Sequence, residues 1–321
     1  MESLLAIGDF FRRMYATASP EQTMINRLFN YFLIMALIIV VIIGIMVIYG
    51  SYRYRAGNQE EGKEPKQTGG NQMLEITWTV LPFLTLVFFF FITLRIMNSI
   101  DQPRGERKNP DIDIIAHQFW WEIHYPGSKV ITANELHIPV NKLLLIRLTS
   151  RDVIHDWWVM ELGRKMDAIP GRFNFLWMQA DRPGIYHGTC GEYCGAEHAW
   201  MRIYVEAQDS SDYLKWLNYQ KTAFRSANDS LVSEGLALFE QKTCANCHTI
   251  KGTRANSPVG PDLTHLISRK TLVAGVLENN RQNLERWIRD PQGIKPGARM
   301  PNLILNQKEL DLMLKFMEEL K

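Results

Sequence analysis

Two long apolar runs dominate the first third of the chain, and after them the periodicity of apolar positions changes. Leu28 to Gly50 (LFNYFLIMALIIVVIIGIMVIYG) carries no charge, and at about 1.5 Å per residue it is long enough to cross a hydrocarbon core of about 30 Å. Ile76 to Met97 (ITWTVLPFLTLVFFFFITLRIM) is a second such run, with Pro82 expected in its first turns, where a missing donor is tolerated, and Arg95 near its far end. Both runs predict membrane-spanning helices, the competing reading being buried core helices. From Asp111 onward the pattern alternates: Phe119, Trp121, Ile123 and Tyr125 interleave with Trp120, Glu122 and His124, and Pro126-Gly127 turns the chain. Leu143 to Leu148, Phe173-Phe175-Trp177 and Met201-Ile203-Val205 continue the pattern. An antiparallel sandwich or barrel of about 100 residues is predicted, at roughly 107–207.

Helical spacing then returns. Ser210 or Ser211 is the expected cap of a helix through Tyr213, Leu214, Trp216 and Leu217, and Arg225 to Ser230 reads as a polar linker. Ser233 to Gln241 predicts a short amphipathic helix, and Asn306 to Leu320 a last one with Leu310, Met313, Leu314, Met317 and Leu320 on one face. The expected organisation is an N-terminal segment and hairpin over 1–106 (helices about 28–50 and 76–97), a β domain with its following helix over 107–222, a linker at 223–232 and a small helical domain over 233–321.

Charge changes little in this picture. The formal net charge is +2 over 321 residues, and without a basic block carrying interleaved aromatics, nucleic-acid binding has no support. The first residues (MESLLAIGDFFRRMYATA) lack the basic start of a cleaved signal peptide. Positive-inside counting does not orient the hairpin. Arg53, Arg55, Lys63 and Lys66 in the loop face Arg12, Arg13, Arg27, Arg95, Arg104 and Arg107 on the outer flanks.

The cysteines carry the chemistry, and all four fall in two tight motifs. In Cys190-x-Glu192-x-Cys194-x-x-x-His198-x-x-Met201, soft sulfur and imidazole together suit copper. Two thiolates can bridge two copper ions, each then needing a nitrogen, and His155 is the best upstream candidate. A Cys190–Cys194 disulfide or a zinc site with His198 are the alternatives, and either leaves Met201 without a role. His187 is a rival ligand, but its strand-like surroundings favour a structural role, as for His117, His124 and His137. Cys244-Ala-Asn-Cys247-His248 is a haem c attachment signature: two thiols reach the vinyl groups and the imidazole lies under the iron. Downstream, Gly260-Pro261-Asp262-Leu263 offers a proline carbonyl to fix that imidazole, and Met300, in Gly297-Ala-Arg-Met300-Pro301-Asn, is the candidate sixth ligand. Met313 and Met317 belong to the core face of the last helix. A thioredoxin-like reading is opposed by the adjacent His248 and by the absence of a βαβ pattern.

The run His155-Asp-Trp-Trp-Val, the segment Met166-Asp-Ala-Ile-Pro-Gly-Arg172 and the cysteine motif resemble subunit II of haem-copper cytochrome c oxidases over about residues 20–220. With the haem motif, the whole chain resembles the caa3 type, whose subunit II ends in a fused cytochrome c domain. The resemblance implies a multidomain membrane protein: a two-helix transmembrane hairpin, an all-β cupredoxin-like Greek-key domain and an all-α class I cytochrome c domain. It implies that His155, Cys190, Cys194, His198 and Met201 ligate the dinuclear copper centre CuA, with Glu192 adding its backbone carbonyl and offering its carboxylate to a Mg or Mn ion shared with subunit I. Cys244 and Cys247 would hold haem c covalently, with His248 and Met300 on the iron. Phe119, Trp120 and Trp121 match the family's electron-transfer aromatics, although Phe119 stands where many relatives present a tryptophan to soluble cytochrome c. That departure fits a donor fused to the same chain; simple packing of the sandwich is the alternative. Glu75 matches a glutamate at the mouth of a proton channel, its alternative being a solvated helix start favoured by the dipole.

The implied activity is electron input to a proton-pumping oxygen reductase: haem c to CuA, then to the haem and copper of subunit I, where O2 becomes water. No oxygen-reducing site belongs to this chain. The implied partners are subunits I and III, a donor that is a cytochrome c or a quinol-oxidising complex, and membrane lipids, with no nucleic acid. The implied location is the bacterial inner membrane, multi-pass, with the N-terminus and both metal domains on the periplasmic side, where haem c is attached. A CuA-containing nitric oxide reductase and a free-standing membrane redox carrier are the competing assignments. A quinol oxidase is disfavoured because such chains lack the copper ligands.

Overall fold

The structure is a computed structural model describing residues 15–55, 69–101, 109–225 and 229–321. Arg12, Arg13, Lys63, Lys66, Arg104, Arg107 and residues 226–228 of the expected linker lie outside the described residues. The chain forms two compact units, Thr23–Gly105 and a larger one made of Met1–Gln22 with Glu106–Lys321.

The smaller unit is a helical hairpin. Helix α1 spans Pro20–Arg53 and α2 spans Gln72–Asp101, with peak mean hydropathies of 3.2 and 2.3. Almost none of either apolar stretch is buried in protein, which removes the core-helix reading. Phe32 stacks on Phe89 with ring centroids 4.2 Å apart, joining the two helices. Thr77, Thr79, Thr85 and Ser99 each donate their hydroxyl to the carbonyl four residues back, so polar side chains in the apolar stretch are satisfied without water. Pro82 corrects the expectation: it lies inside α2 rather than in its first turns. The helix starts earlier because the Asn71 side chain accepts from the N–H groups of Met73 and Leu74 at 3.1 and 3.3 Å.

In the larger unit, strands β1 (Ile112–His117), β2 (Trp120–Tyr125), β3 (Val130–Ala133), β5 (Leu144–Ser150) and β8 (Asn174–Met178) form one sheet in the order β3-β2-β1-β5-β8. Strands β4 (Glu135–Pro139), β6 (His155–Trp158), β7 (Met166–Ala168), β9 (Gly184–Cys190) and β10 (Arg202–Gln208) form the other, in the order β4-β10-β9-β6-β7. The sandwich is not purely antiparallel as expected: β1 pairs β5, and β10 pairs β4, in parallel. Greek-key connections cause this, because strands distant in sequence return beside one another in the same direction. Inward-facing Ile112, Ile114, Trp121, Ile123, Ile146, Trp157 and Val205 fill the space between the sheets. Residues before α1's apolar run pack on this domain: Ala18 exchanges backbone bonds with Glu161 and Asp181 at 3.2 and 2.8 Å, and Ser19 Oγ donates to the Leu162 carbonyl at 2.9 Å.

Helix α3 (Ser210–Tyr219) follows, with Asp209 rather than Ser210 or Ser211 at its N-cap. Its Trp216 stacks on His137 at 4.0 Å. The helical domain contains α4 (Ser230–Gln241), α5 (Arg281–Arg289), α6 (Pro291–Ile294), α7 (Gln307–Met317) and a short ladder of β11 (Thr271–Leu272) with β12 (Leu277–Glu278). Asn306 and Glu309 form a reciprocal capping box that starts α7. Helices α4 and α7 cross at Gly235, where a Cβ would lie only 2.6 Å from Phe316 Cβ, so a larger residue there would push the helices apart.

The polar residues of β1 and β2 are satisfied in a small cluster. Glu122 accepts from His117 Nε2 at 2.7 Å and from His124 Nε2 at 2.5 Å. Burial alone would raise its pKa, but these hydrogen bonds overturn that and hold it down at about 2. Because the folded value lies below the unfolded one of 4.5, the stabilisation is present above that value and is lost as pH falls toward 2. Glu122→Gln should therefore lower unfolding stability by about 1–3 kcal/mol at pH 7, and denaturant titrations should show the difference shrinking between pH 4.5 and 2.

Candidate metal centres

Strand pairing assembles the sulfur-rich cluster. The antiparallel β6–β9 register sets Trp157 opposite Cys190 and brings His155, two residues earlier, to the end of β9. The loop after β9 then turns back so that Cys194, His198 and Met201 converge, and the Cys190 N–H bonds the Met201 carbonyl at 3.0 Å. The resulting chain of contacts runs His155 Nδ1 to Cys190 Sγ 3.9 Å, Cys190 Sγ to Cys194 Sγ 3.9 Å, Cys194 Sγ to His198 Nδ1 3.7 Å and Cys194 Sγ to Met201 Sδ 4.0 Å. Glu192 places its carbonyl 3.2 Å from Cys190 Sγ while its residue stays exposed. Gaps of this size suit a shared metal, since donors about 2.0–2.3 Å from one ion at an open tetrahedral angle are roughly 3.5–4 Å apart. They do not suit a disulfide, whose sulfurs are about 2.05 Å apart. His187 is absent from the cluster: it is exposed on β9 and packs edge-on against Tyr204 at 5.1 Å.

The electrostatics prepare the donors. Asp152 accepts from His155 Nε2 at 2.9 Å, which fixes a proton on that nitrogen and aims Nδ1 at Cys190, to which it donates when protonated and offers a lone pair when neutral. Burial works against protonating His155, but bonds to Asp152 and Cys190 outweigh it and raise its pKa. The hydrogen bond from Cys194 drives Cys190 down to about 3, against burial and with help from His155. The same bond, with burial, pushes Cys194 far up. Metal binding takes both thiols as thiolates and so would release their remaining protons. Burial, with Asp167 adding to it, pushes the neighbouring Asp156 up to about 7.

The haem signature lines a cavity of about 450 Å3. Cys244, Cys247, His248 and Met300 all face it, among the apolar side chains of Phe239, Leu263, Leu284, Trp287, Ile288 and Met313. His248 Nδ1 donates to the Pro261 carbonyl at 2.8 Å, leaving Nε2 free for the iron. Burial lowers the His248 pKa, with that carbonyl opposing, so the imidazole stays neutral as an axial ligand must. Gly260 is required here, because a Cβ would approach His248 Cε1 to 2.8 Å. Gln292 Nε2 pins the loop before and at Met300 by donating to the Ala298 and Met300 carbonyls, both at 2.7 Å. Arg269 also lines the cavity, and its buried Nε has no hydrogen-bond partner among the described residues. With Lys295 and Arg299 also on the lining, Arg269 gives the cavity a cationic side that would suit the carboxylates of a haem.

One wall of this cavity comes from the β domain, through His117, Gln118, Phe119 and Trp120. Phe119 is buried and its ring lies against Gly195, beside Cys194. Gln118 Nε2 donates to the Cys194 carbonyl at 2.7 Å. Trp121 faces the other way, buried against His155 with ring centroids 6.0 Å apart. Glu75 lies in the hairpin unit, exposed in the first turn of α2.

Comparison with known proteins identifies the family of the chain. The chain matches the cytochrome C oxidase subunit II transmembrane domain over residues 9–96, the subunit II periplasmic domain over 128–208, and cytochrome c over 232–321. It is 34% identical to cytochrome c oxidase subunit 2 of Alkalihalophilus pseudofirmus, across 90% of this chain and 84% of that one. This chain belongs to the cytochrome c oxidase subunit II family. The subunit 2 of Bacillus subtilis is 29% identical over 95% of this chain and 92% of its own. The periplasmic domain of subunit II from Bradyrhizobium japonicum superposes with a TM-score of 0.35 at 30% identity, covering 37% of this chain and 96% of that one. The protein is thus a caa3-type oxidase subunit: a membrane hairpin, a periplasmic copper domain and a haem c domain in one chain, associated with subunit I of a haem-copper oxidase.

Sequence reasoning missed Asp152 and Gln118, which orient His155 and the Cys194 loop. An acid three residues before a histidine in a loop carries no pattern of its own. Removing the Asp152 carboxylate should weaken copper retention by about 10–100-fold. Competition of Asp152→Ala subunit against a copper chelator, with haem c absorbance as the internal control, measures this.

Proposed function

We propose that this subunit is the electron-input arm of a proton-pumping oxygen reductase, taking electrons at haem c and passing them through a dinuclear CuA centre to subunit I, where O2 is reduced to water. The segment 117–121 carries this reading: Phe119 and Trp120 line the haem cavity, while Gln118, Phe119 and Trp121 touch the Cys194 loop and His155. When bound, haem c and the copper pair supply two one-electron carriers on either side of that segment.

His155, Cys190, Cys194, His198, Met201 and the Glu192 carbonyl hold the copper pair, each thiol having its own imidazole neighbour. Cys244 and Cys247 attach the haem, with His248 and Met300 as axial ligands. Phe119 fills the place where a docking tryptophan would face an external cytochrome, and here it is buried under the subunit's own haem domain. The exposed Glu192 side chain is available to a Mg or Mn ion shared with subunit I. A cytochrome c or a quinol-oxidising complex donates to haem c, and subunit III completes the assembly. Contacts of Ala18 and Ser19 with the copper domain support an N-terminus on the same, periplasmic side of the bacterial inner membrane. The domain limits proposed are 1–106, 107–222, 223–232 and 233–321, with the last three linker residues already in the first turn of α4, which begins at Ser230.

The purified subunit should show a mixed-valence dicopper electron-spin-resonance signal together with a low-spin His/Met haem spectrum. A zinc-only or disulfide-bonded form would overturn the copper assignment. Glu75 is proposed as the proton-uptake residue of the partnered oxidase. Glu75→Gln should slow oxygen turnover several-fold with both metal spectra unchanged, and unaltered turnover would remove that role.

A further inference from the structure

Two buried charged side chains cross the junction between the copper and haem domains in opposite directions. Lys295, 3% exposed and just after α6, donates its ammonium to the carbonyls of Phe119 and Trp200, each at 3.0 Å, and to that of Val273 at 3.5 Å. Glu135, 2% exposed at the start of β4, accepts from the backbone N–H of Lys270 at 2.9 Å, from the N–H of Thr271 at 2.7 Å and from the Thr271 hydroxyl at 2.8 Å. We propose that Lys295 and Glu135 are positioning residues that keep the haem domain permanently seated on the copper domain, so that electrons cross a fixed junction rather than a transient encounter. The inference rests on the haem-to-copper reading above and names what fixes its geometry.

Both groups bond mainly to the opposite domain's backbone. An ammonium has three donors, and Lys295 meets three carbonyls, leaving none of them for water. Phe119 borders the haem cavity and Trp200 immediately precedes Met201, so one side chain ties together peptide groups beside both centres. Glu135 reciprocally captures the first residues of β11. Between these two points, Val273 and Ala274 are both left-handed, with φ of 58° and 57°. A β-branched residue there is strained and persists only where its surroundings over-determine it. They do: the Arg202 N–H donates across the junction to the Ala274 carbonyl at 3.2 Å. Arg299 adds a bond to Gln118 at 3.2 Å and an ion pair with Asp152 at 3.3 Å. Removing either buried charge would leave backbone groups of the other domain unpaired, which disfavours the seated state.

The test uses the intact oxidase with both metals loaded, measuring haem c to copper electron transfer after rapid reduction, in buffers of rising viscosity. Wild type should transfer at a viscosity-independent rate. Lys295→Met should let the domains part often enough to slow that step about tenfold and make it viscosity-dependent. Haem and copper spectra, and reduction of haem c by its donor, should stay unchanged. Amide exchange at Arg202 and Thr271 should accelerate in the same variant. An unchanged rate in Lys295→Met, or viscosity dependence in wild type, would overturn the fixed junction. Absence of any haem-to-copper transfer in wild type would instead overturn the electron path itself. Should Lys295→Met lose a metal, Glu135→Gln decides by the same criteria. Metal loss in both variants would make these residues parts of the sites and also defeat the proposal.

Discussion

The approach of β6 to β9 is the contact on which the functional half of the molecule depends. Two thiols buried 3.9 Å apart cannot both ionise without counter-charges, since a thiolate in an apolar interior is expensive. The β6–β9 register answers this by delivering His155 to Cys190, while the following loop delivers His198 to Cys194. Asp152 then fixes the imidazole, and Trp121 and Trp157 seal it from water. A one-residue slip in this pairing would turn His155 to the other face of the sheet and dissolve the cluster. The sandwich therefore acts as a frame that gathers soft donors from β6, β9 and the following loop to one place.

The same frame closes the haem cavity. The start of β2 and the residues before it form part of the cavity wall on one side and touch the Cys194 loop on the other. A freely diffusing cytochrome must find such a surface in each encounter, and the exposed patch must tolerate water in between. Here the surface is covered by the chain's own haem domain, through bonds that end largely on peptide groups. Backbone acceptors and donors suit this purpose because their positions are set by the sheet itself, with little rotamer freedom to lose.

The hairpin obeys a different constraint. Its helices expose apolar side chains along nearly their whole length and return hydroxyl groups to their own backbones, as a water-free surround requires. Pro82 lies well inside a continuous α2, and the Asn71 cap upstream is what moved the helix start to include it.

Much of this was legible from sequence because it is local. Apolar runs longer than a bilayer is thick, strict alternation from Phe119 to Tyr125, and Cys-x-x-Cys-His all encode their meaning within a few consecutive residues. Cys190 to Met201 is likewise local, and the resemblance to subunit II supplied His155 from a distance. What sequence could not supply was set by partners far along the chain. The parallel pairings of β1 with β5 and of β10 with β4 arise from long Greek-key returns that no short window records. Helix α3 has Asp209 at its N-cap position, without a side-chain capping bond, although two serines follow, because the helix starts where the preceding strand ends. Asp152, Gln118, Glu135 and Lys295 look like ordinary surface residues in the sequence, yet the fold buries or pairs each against atoms many residues away. Short-range spacing thus determined that the chain carries a soft-metal motif and a haem motif behind two membrane-spanning runs. Only the tertiary structure decided how the two metal domains meet, because that junction consists of bonds between residues with no sequence proximity at all.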